Sequence, residues 1–180
     1  METGIKNYVH MIRFACTGPE SSGKSTLTAA LALYYNAPAL EEVARRFLQQ
    51  NNGRYTREDL DEIAKEQLGL WQKHRLEPLV FCDTEMLVVK IWAEVKYGSS
   101  SPFIEQAFAT QQFDHYFLCR PDIPWEEDPL REHPFQRQEL FDTYHAYLQK
   151  YQLPFTIIQG QDLDERIKVC KNVIATYLDK

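Results

Sequence analysis

The stretch Gly18-Pro19-Glu20-Ser21-Ser22-Gly23-Lys24-Ser25 decides the fold. It matches the pattern G-x-x-x-x-G-K-[S/T], a loop whose backbone amides cradle phosphate groups. Such a pattern carries weight only between a strand and a helix, and both flanks fit. Val9–Thr17 reads as a strand, and Lys24–Tyr35 as a helix with Leu27, Leu31 and Tyr34 on one face. The glycines let backbone approach an anion closely, while loop amides and the helix N-terminus supply positive potential. Lys24 is expected at the β/γ-phosphates, and the Ser25 hydroxyl on Mg²⁺. Gly18, Glu20, Ser21, Ser22, Gly23 and Thr26 complete the expected nucleotide contacts. A chance glycine turn is the competing reading, and the strand–loop–helix context argues against it.

Outward from this loop, strand and helix signals alternate. Pro38–Leu40 reads as a short strand, followed by helix from about Glu42 to Gln50. Asn51–Tyr55 is a loop around Gly53. Thr56 caps a long helix, with Asp59 placed to reach back to the cap, and Pro78 follows as a stop. Leu79–Cys82 is a short apolar run, as expected of a strand covered on both faces. Helix from Glu85 to about Tyr97 ends at Gly98, and Pro102 opens another after Ser99–Ser101. His115–Cys119 is a further buried strand. Arg120–Pro134 is rich in proline and charge, and helix then resumes to about Tyr151. Phe155–Ile158 is the last strand, with Asp162 and Glu165 capping the final helix. This order implies an α/β fold of three layers, a mostly parallel five-stranded sheet between helices, with a lid insert at about 120–137. No repeat or linker divides the chain, so residues 1–180 are expected to form a single domain.

The bulk composition agrees with a folded enzyme-sized domain. The chain has 180 residues, of which 44% are hydrophobic, and a net charge of −6. An acidic balance argues against general nucleic-acid binding, although a local basic pocket is compatible with it. No apolar run approaches a membrane span, and Met1–Asn7 lacks the apolar core of a signal peptide. Cys16, Cys82, Cys119 and Cys170 form no C-x-x-C pair, and reduced structural thiols suit a cytoplasmic location. The histidines show no metal-ligand spacing. The oligomeric state is left open.

Further pieces bear a family resemblance. They are Glu20–Leu27, Glu42-Val43-Ala44-Arg45, Asp83-Thr84-Glu85, and Pro124-Trp125-Glu126-Glu127-Asp128-Pro129-Leu130-Arg131. In this order they resemble the kinase domain of NadR-type proteins, over about residues 12–160. At Pro129 the chain departs from the glycine common in that insert. The resemblance implies a P-loop kinase that phosphorylates ribosylnicotinamide with ATP. A chain of 180 residues leaves no room for the adenylyltransferase and DNA-binding domains of full-length members, so no regulator role is expected.

Phosphoryl transfer needs a metal, cations around the transferred group and an acceptor hydroxyl in line. Asp83, at the end of a buried strand, is placed to hold Mg²⁺ or to take the acceptor's proton; capping the next helix is its plain alternative. Glu85 either shares the metal or is a first-turn helix acid. By resemblance to nucleoside kinases, Glu42 acts as base or binds sugar hydroxyls, and Arg45 shares its face toward substrate or phosphate. An exposed Glu42–Arg45 ion pair on one helix is the bland alternative. Arg131 and Arg137, in and after the lid, are expected to neutralise charge on the γ-phosphoryl group. Arg120 is a candidate to stack on the nucleotide base, and the Gln159–Asp162 loop to hold it. Trp125 and Trp92 are candidate walls for the acceptor ring, with core packing the alternative for both.

The leading expectation is therefore an ATP-dependent kinase for a nucleoside-like hydroxyl, ribosylnicotinamide foremost. The alternatives are a kinase for another nucleoside or nucleotide, and a nucleotide-gated switch with no small-molecule acceptor. A kinase should show a closed, partly aromatic pocket near Glu42 and Trp92, whereas a switch should show a flat apolar surface. The absence of an N-K-x-D run favours ATP over GTP.

Overall fold

A computed structural model describes residues 11–179. Five parallel strands form one sheet in the order β2-β3-β1-β4-β5. They are β1 (Ile12–Thr17), β2 (Ala39–Leu40), β3 (Leu79–Asp83), β4 (His115–Cys119) and β5 (Phe155–Ile158). The helices are α1 (Lys24–Tyr35), α2 (Val43–Gln50), α3 (Arg57–Lys73), α4 (Met86–Tyr97), α5 (Pro102–Thr110), α6 (Arg137–Lys150) and α7 (Leu163–Leu178). The sheet is wholly parallel, and β1 begins at Ile12; Val9 and His10 of the expected strand lie outside the described residues.

Alternation along β1 explains the three layers. Phe14 and Cys16 face α1 and α7, while Ala15 faces the α2–α6 side. Phe14 is fully buried, stacked at 5.6 Å on Phe81 of β3 and at 5.5 Å on Phe117 of β4. This aromatic ladder ties the three central strands, and truncating its middle ring should cost about 3–5 kcal/mol.

The local signals mostly act as the chemistry demands. Thr56 accepts from the Asp59 amide and Asp59 accepts from the Thr56 amide, a complete capping box at the start of α3. Asp162 caps α7 by accepting from the Glu165 amide at 2.9 Å. Two helix starts differ from expectation, and both differences bear on the site. Glu42 stands at the N-cap of α2 without using its side chain there. Glu85, not Asp83, caps α4, accepting from the Leu87 amide at 2.6 Å.

Between β3 and α4, Thr84 adopts φ 69°, a left-handed conformation costly for a β-branched residue. Its amide donates to the Cys16 carbonyl at 3.1 Å, which holds the turn against β1. The kink leaves Asp83 as the last strand residue, level with Cys16 and beside the phosphate loop.

Candidate functional site

At the C-terminal ends of β1, β3 and β4 lies a cleft of about 250 Å³. Its floor is the Gly18–Thr26 segment. Two glycines are required here by geometry. Gly18 has φ 131°, and a Cβ on it would sit 2.6 Å from the Cys119 carbonyl oxygen. Gly23 has φ 83° at the N-cap of α1. The Pro19 carbonyl accepts from Ser22 Oγ and from Lys24 Nζ, both at 2.8 Å. Lys24 thus curls over the loop it would share with a phosphate.

Asp83 is buried, and its Oδ1 has no hydrogen-bond partner. Burial pushes its carboxyl above the usual range, with the Ser25 hydroxyl, then Lys24 and Arg45, pulling the other way. Glu42 lines the cleft from the start of α2. Burial raises its pKa too; Lys24 opposes this, and Asp83 adds to it. Two carboxylates and one ammonium therefore converge where a terminal phosphate would meet its acceptor. Glu85 does not join them. It is fully buried and accepts from Thr17 Oγ1 at 3.0 Å and Gln111 Nε2 at 2.8 Å as well as from Leu87. Burial raises its pKa to about 7 despite those donors. The expectation of a shared metal role is corrected: Glu85 supports the turn from beneath.

Beyond Glu42 the cleft becomes apolar and aromatic. Trp92 lines it and donates from Nε1 to the Tyr55 hydroxyl at 2.8 Å. The two rings lie 4.6 Å apart. Tyr55, Leu130 and Tyr144 also line this end; Leu130 falls in the Pro124–Arg131 piece, whereas Tyr55 and Tyr144 lie outside any motif.

The segment 120–136 between β4 and α6 has no regular structure and closes the cleft from above. It rests on the phosphate loop. Glu20 accepts from the Glu132 and His133 amides at 3.0 and 3.2 Å, so its carboxylate faces the insert and not a phosphate. Ser21 Oγ accepts from the Glu126 amide at 3.1 Å and from Arg131 Nη1 at 3.4 Å. Arg45 ion-pairs with Asp128 of the insert, in place of the alternative pairing with Glu42 along the helix. Glu132 accepts from Tyr55 at 2.8 Å and Lys96 at 2.9 Å, joining the insert to the aromatic end.

Five expected site residues stand outside the cleft lining: Asp83, buried at the end of β3, and four others. Trp125 is not an acceptor wall: Arg131 and Arg137 lie over its ring at 5.7 and 5.6 Å. Arg137 donates to the Ser21 and Ile123 carbonyls at 2.9 and 3.0 Å. Arg120 lies over Phe141 at 5.2 Å, 3.8 Å from Asp122, so its expected base-stacking face is occupied. Gln159 is exposed at the end of β5, in a loop tied to Asp122 through the Gly160 amide at 2.6 Å. Arg166, on α7, belongs to no motif in the sequence. It is 2% exposed and donates to the carbonyls of Ser22 at 2.6 Å, Gly160 at 2.7 Å and Arg120 at 3.1 Å.

A parallel sheet with a glycine-bearing loop running from its central strand into a helix defines an α/β protein of the P-loop class. The chain belongs to the AAA domain family, which it matches over residues 13–166. It is 26% identical over 171 residues to the trifunctional NAD biosynthesis/regulator protein NadR of Escherichia coli K12, covering 89% of this chain and 41% of that protein. NadR of Salmonella typhimurium is 24% identical over 168 residues, again covering 89% and 41%. The chain therefore spans less than half the length of these relatives. Among solved structures, NadR in complex with NAD and AMP-PNP superposes with a TM-score of 0.69 at 19% identity, covering 88% of this chain and 48% of that one. Thymidylate kinase from Ehrlichia chaffeensis gives 0.67 at 16%, covering 91% and 98%. Deoxyadenosine kinase from M. mycoides with bound dATP gives 0.61 at 14%, covering 91% and 100%. At these identities the structures establish the shared fold. No helix among the described residues is long and apolar enough to cross a membrane.

Proposed function

We propose that this protein is an ATP-dependent kinase that transfers the γ-phosphoryl group to a hydroxyl of a nucleoside-like acceptor, with ribosylnicotinamide the first candidate. One observation carries the reading: the phosphate loop opens into a cleft lined by Glu42, Tyr55 and Trp92, while Asp83, at the end of β3 level with Cys16, stands beside the loop next to Ser25. A flat apolar face, as a nucleotide switch would use, is not what adjoins the loop. The kinship with NadR and the shared fold of two further kinases support the same class.

The residues divide the work by position. Loop amides and Lys24 bind the β- and γ-phosphates. Asp83 and Ser25 suit a hard cation: the Asp83 carboxylate has a buried, unpartnered oxygen beside the Ser25 hydroxyl. Among the described residues no cluster of three or more His, Cys, Asp or Glu could hold a metal ion, so the remaining ligands of Mg²⁺ would be phosphate oxygens and water. The cation, when bound, neutralises phosphate charge. Glu42, on the acceptor side, takes the proton of the attacking hydroxyl as its oxygen bonds to the γ-phosphorus and the bond to the β–γ bridging oxygen breaks, releasing ADP. Its raised pKa makes it a stronger base than an exposed carboxylate. Residues 120–137 act as a lid that excludes water, and Arg131 and Arg137 hold it on the loop.

The test is a panel assay with γ-labelled ATP against ribosylnicotinamide and common nucleosides. A labelled monophosphate product is expected from at least one of them. Intact ATP binding with no labelled product sinks the kinase reading.

A further inference from the structure

The phosphate loop must present its amides to an anion, and a planar trans peptide puts each N–H opposite the preceding C=O. Whatever holds a loop carbonyl outward therefore aims the next amide inward. In this loop the Ser22 carbonyl is held by Arg166 Nη1 at 2.6 Å, and the amide across that peptide belongs to Gly23. The Arg166 guanidinium also grips the Gly160 and Arg120 carbonyls, at the ends of β5 and β4. Three chain segments, the phosphate loop among them, thus converge on one buried side chain.

Arg166 has a second unusual property. Buried arginines are ordinarily paired with carboxylates. Arg166 is 2% exposed, yet no ion pair to it occurs among the described residues; all its partners are neutral carbonyls. A Cβ at Gly23 would lie only 3.1 Å from its Nη1, so the charge sits directly behind the loop. The fixed anion that such a charge would favour is the polyphosphate on the other side of that backbone.

We propose that Arg166 is a positioning residue of the phosphate site: it orients the Ser22–Gly23 peptide so that the Gly23 amide meets the anion, and its unpaired charge is balanced by bound polyphosphate. This rests on the reading of the cleft as a nucleotide site. The role predicts selective damage. A residue that merely stabilised the fold would weaken every ligand alike, whereas Arg166 acts on the phosphates and leaves nucleoside contacts in place.

The experiment measures binding of MgATP, magnesium tripolyphosphate and adenosine by calorimetry, and follows the Gly23 amide by NMR. In the wild type the Gly23 resonance should move downfield when tripolyphosphate binds. Arg166→Met should weaken both phosphate ligands by about tenfold or more, remove most of the Gly23 shift, and leave adenosine within about twofold. Equal weakening of all three ligands, or an undiminished Gly23 shift, overturns the proposal. If Arg166→Met does not fold, Arg166→Lys decides: a single ammonium cannot span three carbonyls, so tripolyphosphate affinity should fall about threefold or more with a smaller Gly23 shift. Full affinity with a full shift in Arg166→Lys overturns the proposal as well. A wild-type protein that binds neither phosphate ligand sinks the nucleotide reading itself, and that result precedes any substitution.

Discussion

The two ends of the cleft are built on opposite principles. The phosphate end is one continuous loop whose groups are mostly backbone, and its partners fix peptide planes: Lys24 and Ser22 on the Pro19 carbonyl, Arg137 on Ser21, Arg166 on Ser22. The proposed acceptor end has no continuous segment. Tyr55, Trp92, Leu130 and Tyr144 come from a loop, a helix, the insert and another helix, and meet through side chains. Phosphate is recognised by charge and amide geometry, which few sequences can supply. A flat ring is recognised by apolar area, which many sequences can supply. The phosphate end should therefore break in rate, and the acceptor end in substrate affinity.

Lys24→Ala should break the contrast most severely. Loss of the phosphate-side cation is expected to lower kcat by roughly 100- to 1000-fold or more, with cooperative melting retained. Undiminished turnover contradicts the role given to Lys24. Asp83→Asn should lower kcat by about 100-fold while raising the melting temperature of the ligand-free protein, because it removes a buried carboxylate charge. A variant that loses activity and stability together would mark Asp83 as structural.

At the other end, Tyr55→Phe keeps the ring but cuts the hydroxyl that links Trp92 to Glu132. Acceptor KM should rise about 5- to 20-fold with kcat changed less than about threefold. A fall in kcat with unchanged KM would erase the distinction between the ends. The smallest effect on activity belongs to Glu85, which lies under both. Burial raises its pKa to about 7, above the ordinary 4.5. The folded state then holds a proton that the unfolded chain has already released, so this group's contribution is full below about pH 4.5 and is lost as pH rises through about 7. Thermal melts of the wild type should lose on the order of 3 kcal/mol across that window from this group. Glu85→Gln should flatten the profile, and an unchanged slope would assign it to another residue.

The same contrast governs what could be read from the sequence. Lys24–Tyr35, His115–Cys119 and Phe155–Ile158 are recovered at the expected bounds, because period, caps and apolar runs are local properties. The phosphate loop was legible for the same reason. Asp83 was legible from its place at a strand end, although the left-handed Thr84 that moves the helix cap to Glu85 was not. Tyr55 and Tyr144 were invisible because nothing near either residue marks it; only the packing of distant elements brings them together. Arg166 was hidden differently. In sequence it is one more charged residue on an amphipathic helix, and only burial beneath the loop distinguishes it. The sequence places Trp125 in the insert, but not the two arginines, Arg131 and Arg137, that lie over its ring.

The grip of Glu20 and Ser21 on the insert reaches across more than a hundred residues of chain. A loop and an insert so joined are one inheritable module in two pieces. An insert borrowed from a relative would find its footing only if positions 20 and 21 travelled with it. Changes of the insert in this lineage should therefore be accompanied by changes inside the most recognisable motif of the chain, at two of the four positions that the motif itself leaves free.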